Sequence, residues 1–578
     1  MSLSTTIKSI QDIMRKDDGV DGDAQRIGQL TWMLFLKIYD QREEEWEDDA
    51  ADAGTKFRSV IPDGCRWRDW AKSKDGVPAV PGSELIEHVN SVVFPKLKEL
   101  PNSRDPRAKV VREVFADANN YMKSGPLMLG VIQKLDEAIN FHNQGNRGEL
   151  GKLYEQILSD LRGAGNAGEF YTPRAVTEFM VRAVNPSLKK REVVFDPACG
   201  TGGFLTASIE HFRRQLTKRS SAEDRSAIET CIRGIEKKQL PHLLCVTNLL
   251  LHGIDIPSQV EHANTLGKGW NEWTRSERVD CVITNPPFGG MEDDTIGGDF
   301  PADIRTRETA DMFMSLIVKK LLKNGGRAAI VLPDGTLFGD GVKAVIKRKM
   351  LEDCNLHTII RLPSGVFAPY TSIKTNLLFF THGKPTETIW FYEHQYPEGQ
   401  KSYSKTRPMR LEELLPVLDD WWGKEKGGFL DRVETEQAWK YEFATIKADA
   451  EARAKPHWDK AEALKNEASA MYESLKGLRS RVRSEKNRVE LKRLEAELAE
   501  MEVMYDSLVT QSKNEQSAGD QIYWPIYNLD IKNPNAIEAG PGDPDKLLTK
   551  LRSVRQSMQE AIDELKGELA AAWSGGDE

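Results

Sequence analysis

The chain has 578 residues, 80 basic and 89 acidic side chains and a formal charge of -9, and at roughly 150 residues per domain it must hold several domains. Hydrophobic residues at 39% and charged residues at 29% fit a globular protein and exclude a disordered or collagen-like one. No apolar run approaches the roughly 18 residues of a bilayer span, and charges stand in MSLSTTIKSIQDIMRKDD where an export signal needs an apolar core, so a cytoplasmic location without a membrane is expected.

Residues 1–145 read as a helical domain, with apolar clusters such as Trp32, Met33, Leu34, Phe35, Leu36, Ile38 and Tyr39 and few alternating runs. From 146 to 400 the texture changes. Short apolar runs end in glycine or proline turns: Glu192 to Phe195, Ile232 to Ile235, Val279 to Thr284, Arg327 to Leu332 and Thr358 to Leu362. Helical spacing follows each of them, as in Asp311 to Leu322, which predicts an α/β domain with a parallel sheet covered on both faces. Residues 401–446 read as a connector. From 447 to 578 the chain is helical, and Met471, Leu475, Leu478 and Val482, then Leu491, Leu494, Leu498, Met501, Tyr505 and Leu508, form coiled-coil seams. These seams serve either a hairpin within the chain or a partner. A last apolar stripe runs from Leu548 to Leu569, and QIYWPIYNLDIKNPN between the helical runs is a non-helical link with aromatic anchors. The six cysteines show no C-x-x-C spacing, which disfavours a zinc site and a disulfide framework.

Two turns carry chemistry. VVFDPACGTGGFL puts Asp196 at the end of a predicted strand and Gly200, Gly202 and Gly203 in the turn before a helix, where an open α/β sheet binds its ligand. Glycines there let a ligand approach the backbone. The dinucleotide pattern G-x-G-x-x-G and the phosphate loop ending in G-K-[ST] both fail to fit. Glu236 ends the next predicted strand, where a carboxylate can accept from both ribose hydroxyls. Asn264 ends the third, placed to pair with an adenine edge. Together they favour an adenosine ligand without phosphates.

VDCVITNPPFGG ends a strand at Asn285, Pro286, Pro287 and Phe288. An adenine amino group is a poor nucleophile because its lone pair is delocalised into the ring. Two carbonyls, from the Asn285 side chain and the Pro286 backbone, can accept its N–H bonds and localise that pair, and proline keeps the turn rigid. Phe288 offers a flat face for a base extruded from its helix. The acidic, glycine-bearing loop from Met291 to Pro301 reads as mobile. His252, His262 and His357 read as structural.

GEFYTPR (Gly168 to Arg174), DPACGTGGF and NPPF, in that order, resemble the N6-adenine DNA methyltransferases, specifically the modification subunit of type I restriction-modification systems. The resemblance is strongest over about 145 to 385. It implies a Rossmann-like S-adenosylmethionine-dependent methyltransferase core, with a helical domain before it and long helices after it, and S-adenosylmethionine as methyl donor. Carried over by position, Tyr171 and Thr172 would hold the methionine end, Asp196 and Gly200 would line its backbone pocket, and Glu236 and Asn264 would hold ribose and adenine. Glu169, Ala198, Thr201 and Gly202 join that cofactor set. Asn285, Pro286, Pro287 and Phe288 would form the target-base site, with Tyr370 in PYTSIKTNLLFF as a further base-pocket residue. No metal is needed for an in-line methyl displacement, whose main demand is alignment.

The acidic total and the helical residues after about 400 give no block of basic, β-rich segments to read a DNA sequence. Recognition of double-stranded DNA is therefore expected from a separate specificity subunit. The resemblance implies two modification subunits per specificity subunit and an optional restriction-motor subunit, a role this chain, lacking G-x-x-x-x-G-K-[ST], does not fill. The competing readings are a self-sufficient adenine-N6 methyltransferase on DNA or RNA, a non-catalytic DNA-binding scaffold, and a protein-glutamine methyltransferase, which Phe288 in place of Tyr disfavours.

Overall fold

The computed structural model describes residues 3–74, 77–101, 105–138, 154, 171–368, 370–404, 406–424, 428–535 and 544–574. The first helices are α1 (Leu3–Met14), α2 (Asp23–Asp52), α3 (Gly82–His88), α4 (Pro106–Phe115) and α5 (Gly125–Ala138). Every residue of α2 from Thr31 to Asp40 is buried, so its charged members need partners. Lys37 pairs with Asp136, and Asp40 Oδ1 accepts from Arg68 Nε at 2.7 Å. Around α2 an aromatic core gathers Trp32, Phe35, Tyr39, Trp70, Phe94 and Phe115.

Past residue 171 helices and strands alternate: α6 (Arg174–Val184), β1 (Val194–Asp196), α7 (Gly203–Gln215), α8 (Ala222–Thr230), β2 (Ile232–Glu236), α9 (Gln239–Leu251), β3 (Val260–His262) and β4 (Val279–Thr284). Then come α10 (Thr309–Leu316), β5 (Leu322–Pro333), α11 (Val342–Asp353), β6 (Cys354–Leu362), β7 (Thr375–His382), β8 (Ile389–Glu393) and β9 (Ala438–Tyr441). They make one nine-stranded sheet of order β9-β8-β6-β7-β5-β4-β1-β2-β3. Parallel pairing joins β3, β2, β1, β4 and β5. Chain order along the sheet reverses between β1 and β4, which opens a crevice beyond their carboxyl ends.

The sheet is mixed, where the sequence predicts a parallel one. β7 runs antiparallel to both β5 and β6, and β9 runs antiparallel to β8. The link from β6 to β7 holds turns and no helix among its described residues, so it cannot make the crossover that a parallel return requires. The stretch 401–446, predicted as a connector, instead supplies the edge strand β9 and buries Tyr403, Met409, Leu414, Trp421 and Trp439.

Alternate residues of the central strands feed opposite faces, as pleating dictates. Ile330 and Leu332 join one core, with Leu337, Met350, Phe391 and Trp439, while Ala329 and Val331 join the other, with Phe179, Leu205, Phe212 and Phe379. Helix α9 is buried on every side from Pro241 to Leu251. Its Cys245 and Leu249 belong to a core of the sheet, whereas Leu243, Leu244, Val246, Leu250 and Leu251 belong to the aromatic core of the N-terminal helices.

Two long helices follow, α12 (Phe443–Ser484) and α13 (Arg488–Tyr523), packed against each other as a hairpin. Of the seams singled out from sequence, Leu475, Leu478 and Leu494 are buried between them, and the Tyr472 and Tyr505 rings lie 5.7 Å apart. Ile526, Tyr527 and Leu529 then bury against the sheet, where Leu529 N donates to Leu337 O at 3.0 Å. The last helix, α14 (Pro544–Ser574), exposes its stripe: Leu548, Leu551, Val554, Met558, Ile562 and Leu565 all face solvent. No helix among the described residues is long and apolar enough to cross a membrane.

Candidate active site

The crevice is built from the ends of parallel strands. Asp196, the last residue of β1, is buried and its Oδ1 accepts from Ala198 N at 3.1 Å, which folds the turn back on itself. Gly200 and Gly202 adopt φ of +53° and +82°, a region where a side chain is strained. The two differ in purpose. A Cβ on Gly202 would meet Cys245 Sγ at 2.7 Å, so that glycine lets the turn sit down on α9. A Cβ on Gly200 would meet nothing within 4 Å, so that glycine leaves open space at the strand end. The carbonyl of Thr201 is fixed by Asn248 Nδ2 at 3.1 Å.

Glu236 ends β2 next to this turn. Its Oε2 accepts from Gly200 N at 2.9 Å and its Oε1 from Lys238 N at 2.7 Å, so a largely buried carboxylate is aimed by two backbone donors. Burial pushes the Asp196 carboxyl up to about 7, and the negative charge of Glu236 adds to the rise. Two carboxylates and an open glycine corner suit a ligand that brings hydroxyl donors and positive charge.

Asn264 follows β3 but is partly committed. Its Oδ1 accepts from Leu266 N at 3.1 Å and caps a single turn, and its Nδ2 donates to Glu292 Oε2 at a long 3.5 Å. Thr265 Oγ1 donates to Pro197 O at 2.5 Å, tying this turn to the glycine turn.

Asn285 follows β4 at the reversal of strand order. Its Nδ2 donates to Thr172 Oγ1 at 3.0 Å, while its Oδ1 is buried with no hydrogen-bond partner among the described residues. A buried carbonyl without a donor costs roughly 1–3 kcal/mol, which a bound N–H group would recover. Thr309 Oγ1 donates to Pro287 O at 2.8 Å and fixes the second proline. Phe288 departs from its expected role as an open stacking face: it is 9% exposed and belongs to the same core as Val366 and Phe367. A base reaches that ring only when its cover gives way. Tyr370 is half-buried in the turn before β7, whose first residue, Thr375, pairs with Pro333 at the same edge of the sheet.

The loop from Met291 to Pro301 is pinned, contrary to its expected mobility. Glu292 is 8% exposed and takes both 2.8 and 3.0 Å bonds from Lys237 Nζ, and its backbone N donates to Arg307 O at 2.9 Å. Asp293 caps the short helix Asp294–Gly298. Sequence reasoning missed Lys237, Glu292, Asn248 and Thr309, since each acts on a residue far away in the chain and none lies in a motif. Of the cofactor set, Tyr171 and Thr172 are half-buried at the entry to α6, and Glu169 lies outside the described residues. His252 and His262 bond backbone carbonyls of Asn248 and Lys237, and burial holds the His357 imidazole neutral.

Comparison with known proteins agrees across the chain. The family profile described as N-6 DNA Methylase matches residues 145–466, and that described as HsdM N-terminal domain matches residues 3–135. The methylase subunit of the type I restriction enzyme EcoEI from Escherichia coli is 55% identical over 442 residues, covering 76% of this chain and 87% of that one. A solved modification subunit assigned to a type I restriction enzyme from Vibrio vulnificus YJ016 superposes with a TM-score of 0.64 at 41% identity, over 77% of this chain and 92% of the other. A chain solved in work on complex assembly and conformational transition of the type I restriction-modification system superposes with a TM-score of 0.68 at 31% identity, over 99% of both.

Proposed function

Because this chain belongs to the N-6 DNA methylases, as a modification subunit of the type I restriction-modification kind, we propose that the crevice at the reversal between β1 and β4 is where it methylates N6 of an everted adenine. The observation that carries this reading is the buried Asn285 carbonyl at that reversal, without a partner among the described residues. Such an acceptor is complementary to an N–H of an exocyclic amine. With the Pro286 carbonyl as the second acceptor, the amine nitrogen is drawn towards a tetrahedral shape and its lone pair is localised. Pro287, held by Thr309, keeps the elbow rigid so that neither acceptor must reorganise during the reaction.

The glycine turn and its two carboxylates fit S-adenosylmethionine, which when bound supplies a methyl group on a sulfonium centre. Glu236 would accept from the ribose hydroxyls, Asn264 would turn its amide nitrogen from its long bond to Glu292 towards the adenine edge, and Ala198, Gly200, Thr201 and Gly202 would line the turn. Asp196 would face the cationic end, with Tyr171, Thr172 and Glu169 closing the methionine side. Phe288 would take the everted base after local opening, with Tyr370 beside it. The chain's own contribution is alignment and exclusion of water, effects that together supply roughly 7–11 kcal/mol in well-oriented reactions.

Sequence choice is assigned to a specificity subunit, on which α14 would dock its exposed apolar stripe; two modification subunits would share one such partner, and a restriction-motor subunit would join as an option. The compartment would be the cytoplasm, where double-stranded DNA is at hand. The deciding experiment supplies labelled S-adenosylmethionine and duplex DNA to the chain with and without that partner. Label at N6 of adenine only in the joint assembly is the expected result. Efficient site-specific methylation by the lone chain overturns the division of labour, and absence of label in both overturns the activity at this site.

A further inference from the structure

The carboxamide of Asn285 has two nearly isosteric ends with opposite chemical meaning. Turned one way, its carbonyl accepts from a target amine; turned the other, its own NH2 confronts that amine and the lone pair stays in the ring. Nothing within Asn285 selects between them. The selection comes from outside the elbow: Nδ2 donates to Thr172 Oγ1 at 3.0 Å, and once that hydroxyl gives its own proton to another acceptor it can only accept from Asn285. The amide is planar, so fixing the nitrogen fixes the oxygen, and Oδ1 is the end left buried without a partner among the described residues.

We propose that Thr172 is a positioning residue for methyl transfer: it sets the Asn285 amide so that its carbonyl faces the target amine, and it links that setting to occupancy of the cofactor crevice. This rests on the reading of the crevice given above and adds to it a role beyond holding the methionine end.

The chemistry of a hydroxyl makes the link specific. A threonine Oγ1 that accepts from Asn285 retains one proton to donate, and that proton has no acceptor among the described residues. When a carboxylate in the crevice takes it, the oxygen becomes a stronger acceptor and tightens its hold on the Asn285 nitrogen, because bonds in a chain polarise one another. Pro173, which follows Thr172 and precedes the first turn of α6, fixes the backbone from which the hydroxyl projects. The base elbow is thereby set most firmly when the donor site is filled, which suits an enzyme that gains nothing by everting a base without a donor.

The test uses the assembly of this chain with its specificity subunit, duplex DNA carrying the target site, and S-adenosylmethionine. Thr172→Val keeps the shape and removes the hydroxyl, and Thr172→Ser keeps the hydroxyl. Single-turnover methylation is measured at saturating cofactor and DNA, beside cofactor affinity by calorimetry. Thr172→Val is expected to slow the transfer roughly 10- to 100-fold even at saturation, and Thr172→Ser to restore it to within about threefold. A defect in Thr172→Val that vanishes at saturating cofactor, or a Thr172→Ser variant as slow as Thr172→Val, overturns the proposal. A second arm does not depend on how well Thr172→Val folds. Asn285→Ala has no carboxamide to set, so adding Thr172→Ser or Thr172→Val to it should leave its residual rate unchanged; a further large loss overturns the link. An unmodified assembly that fails to methylate would sink the reading of the crevice itself and is recognisable as such.

Discussion

Asp196 shows how a residue can be legible in sequence while its behaviour is not. Its place before the glycine turn follows from the motif, but only the fold reveals a carboxyl wholly out of water whose pKa is raised from 3.8 to about 7. Between those values the folded group keeps a proton that the unfolded chain has lost, so its contribution to stability falls as the pH rises through that window. A cation in the crevice favours the ionised form. Affinity for S-adenosylmethionine should therefore rise from about pH 6 to pH 8, with a proton released on binding near pH 6; calorimetry in buffers of different ionisation enthalpy reads it, and Asp196→Asn should abolish the release. Asn285→Ala makes a different demand. It removes one preorganised acceptor and should cost roughly 100- to 1,000-fold in methylation while cofactor affinity stays within a few-fold; retained activity in the same assembly would contradict the assignment. Asn285, Glu236 and the glycines were readable because each sits inside a short motif at a strand end. The Thr172 partner of Asn285 lies 113 residues away, and the burial of Phe288 depends on neighbours that no local pattern names.

At the scale of elements, the strongest local patterns became the parallel strands from β1 to β5, and the misreadings fall in the half of the sheet beyond β5. β9 escaped notice because an antiparallel edge strand needs only a few residues, and AWKY is too short for any period to register. The coiled-coil seams were visible from three-four spacing, yet spacing alone cannot say whether the second helix belongs to the same chain; the short turn Glu485–Asn487 decides it for α12 and α13. The misjudged loop is the most instructive element. Its acidic side chains suggested mobility, but Glu292 is clasped by Lys237 directly after Glu236, so the segment following Asn285–Phe288 is strapped to the strand that ends in Glu236. Lys237→Met should loosen that strap without unfolding the sheet, since Lys237 itself is half-exposed. Amide exchange across Glu292–Arg307 is expected to accelerate roughly 10-fold, matching about 1.4 kcal/mol of lost local stability, while exchange in β4 stays unchanged. Equal protection in both proteins would show that Arg307 and the helix cap hold the loop alone.

Across the whole molecule the two ends are built for different purposes. α14 carries six large apolar residues in solvent, and such a stripe on an otherwise polar helix is complementary to another helix. Replacing two of its members, Leu551→Glu with Met558→Glu, should leave the melting temperature of the chain unchanged because both are already exposed at 65% and 62%. The same pair should weaken association with the specificity subunit at least about 100-fold in a titration, and undiminished binding would place the contact elsewhere. The N-terminal end is committed inward. Its aromatic core is completed by Leu243, Leu244, Val246, Leu250 and Leu251 of α9, which lie roughly a hundred residues beyond the end of α5. During synthesis at about 5–20 residues per second, the first helices must therefore wait several seconds on the ribosome with an apolar flank uncovered before the wall that seals it emerges. A nascent chain of this design is a natural client for holding chaperones, and a gene fragment ending before α9 should yield aggregates where one extending through it yields dispersed protein.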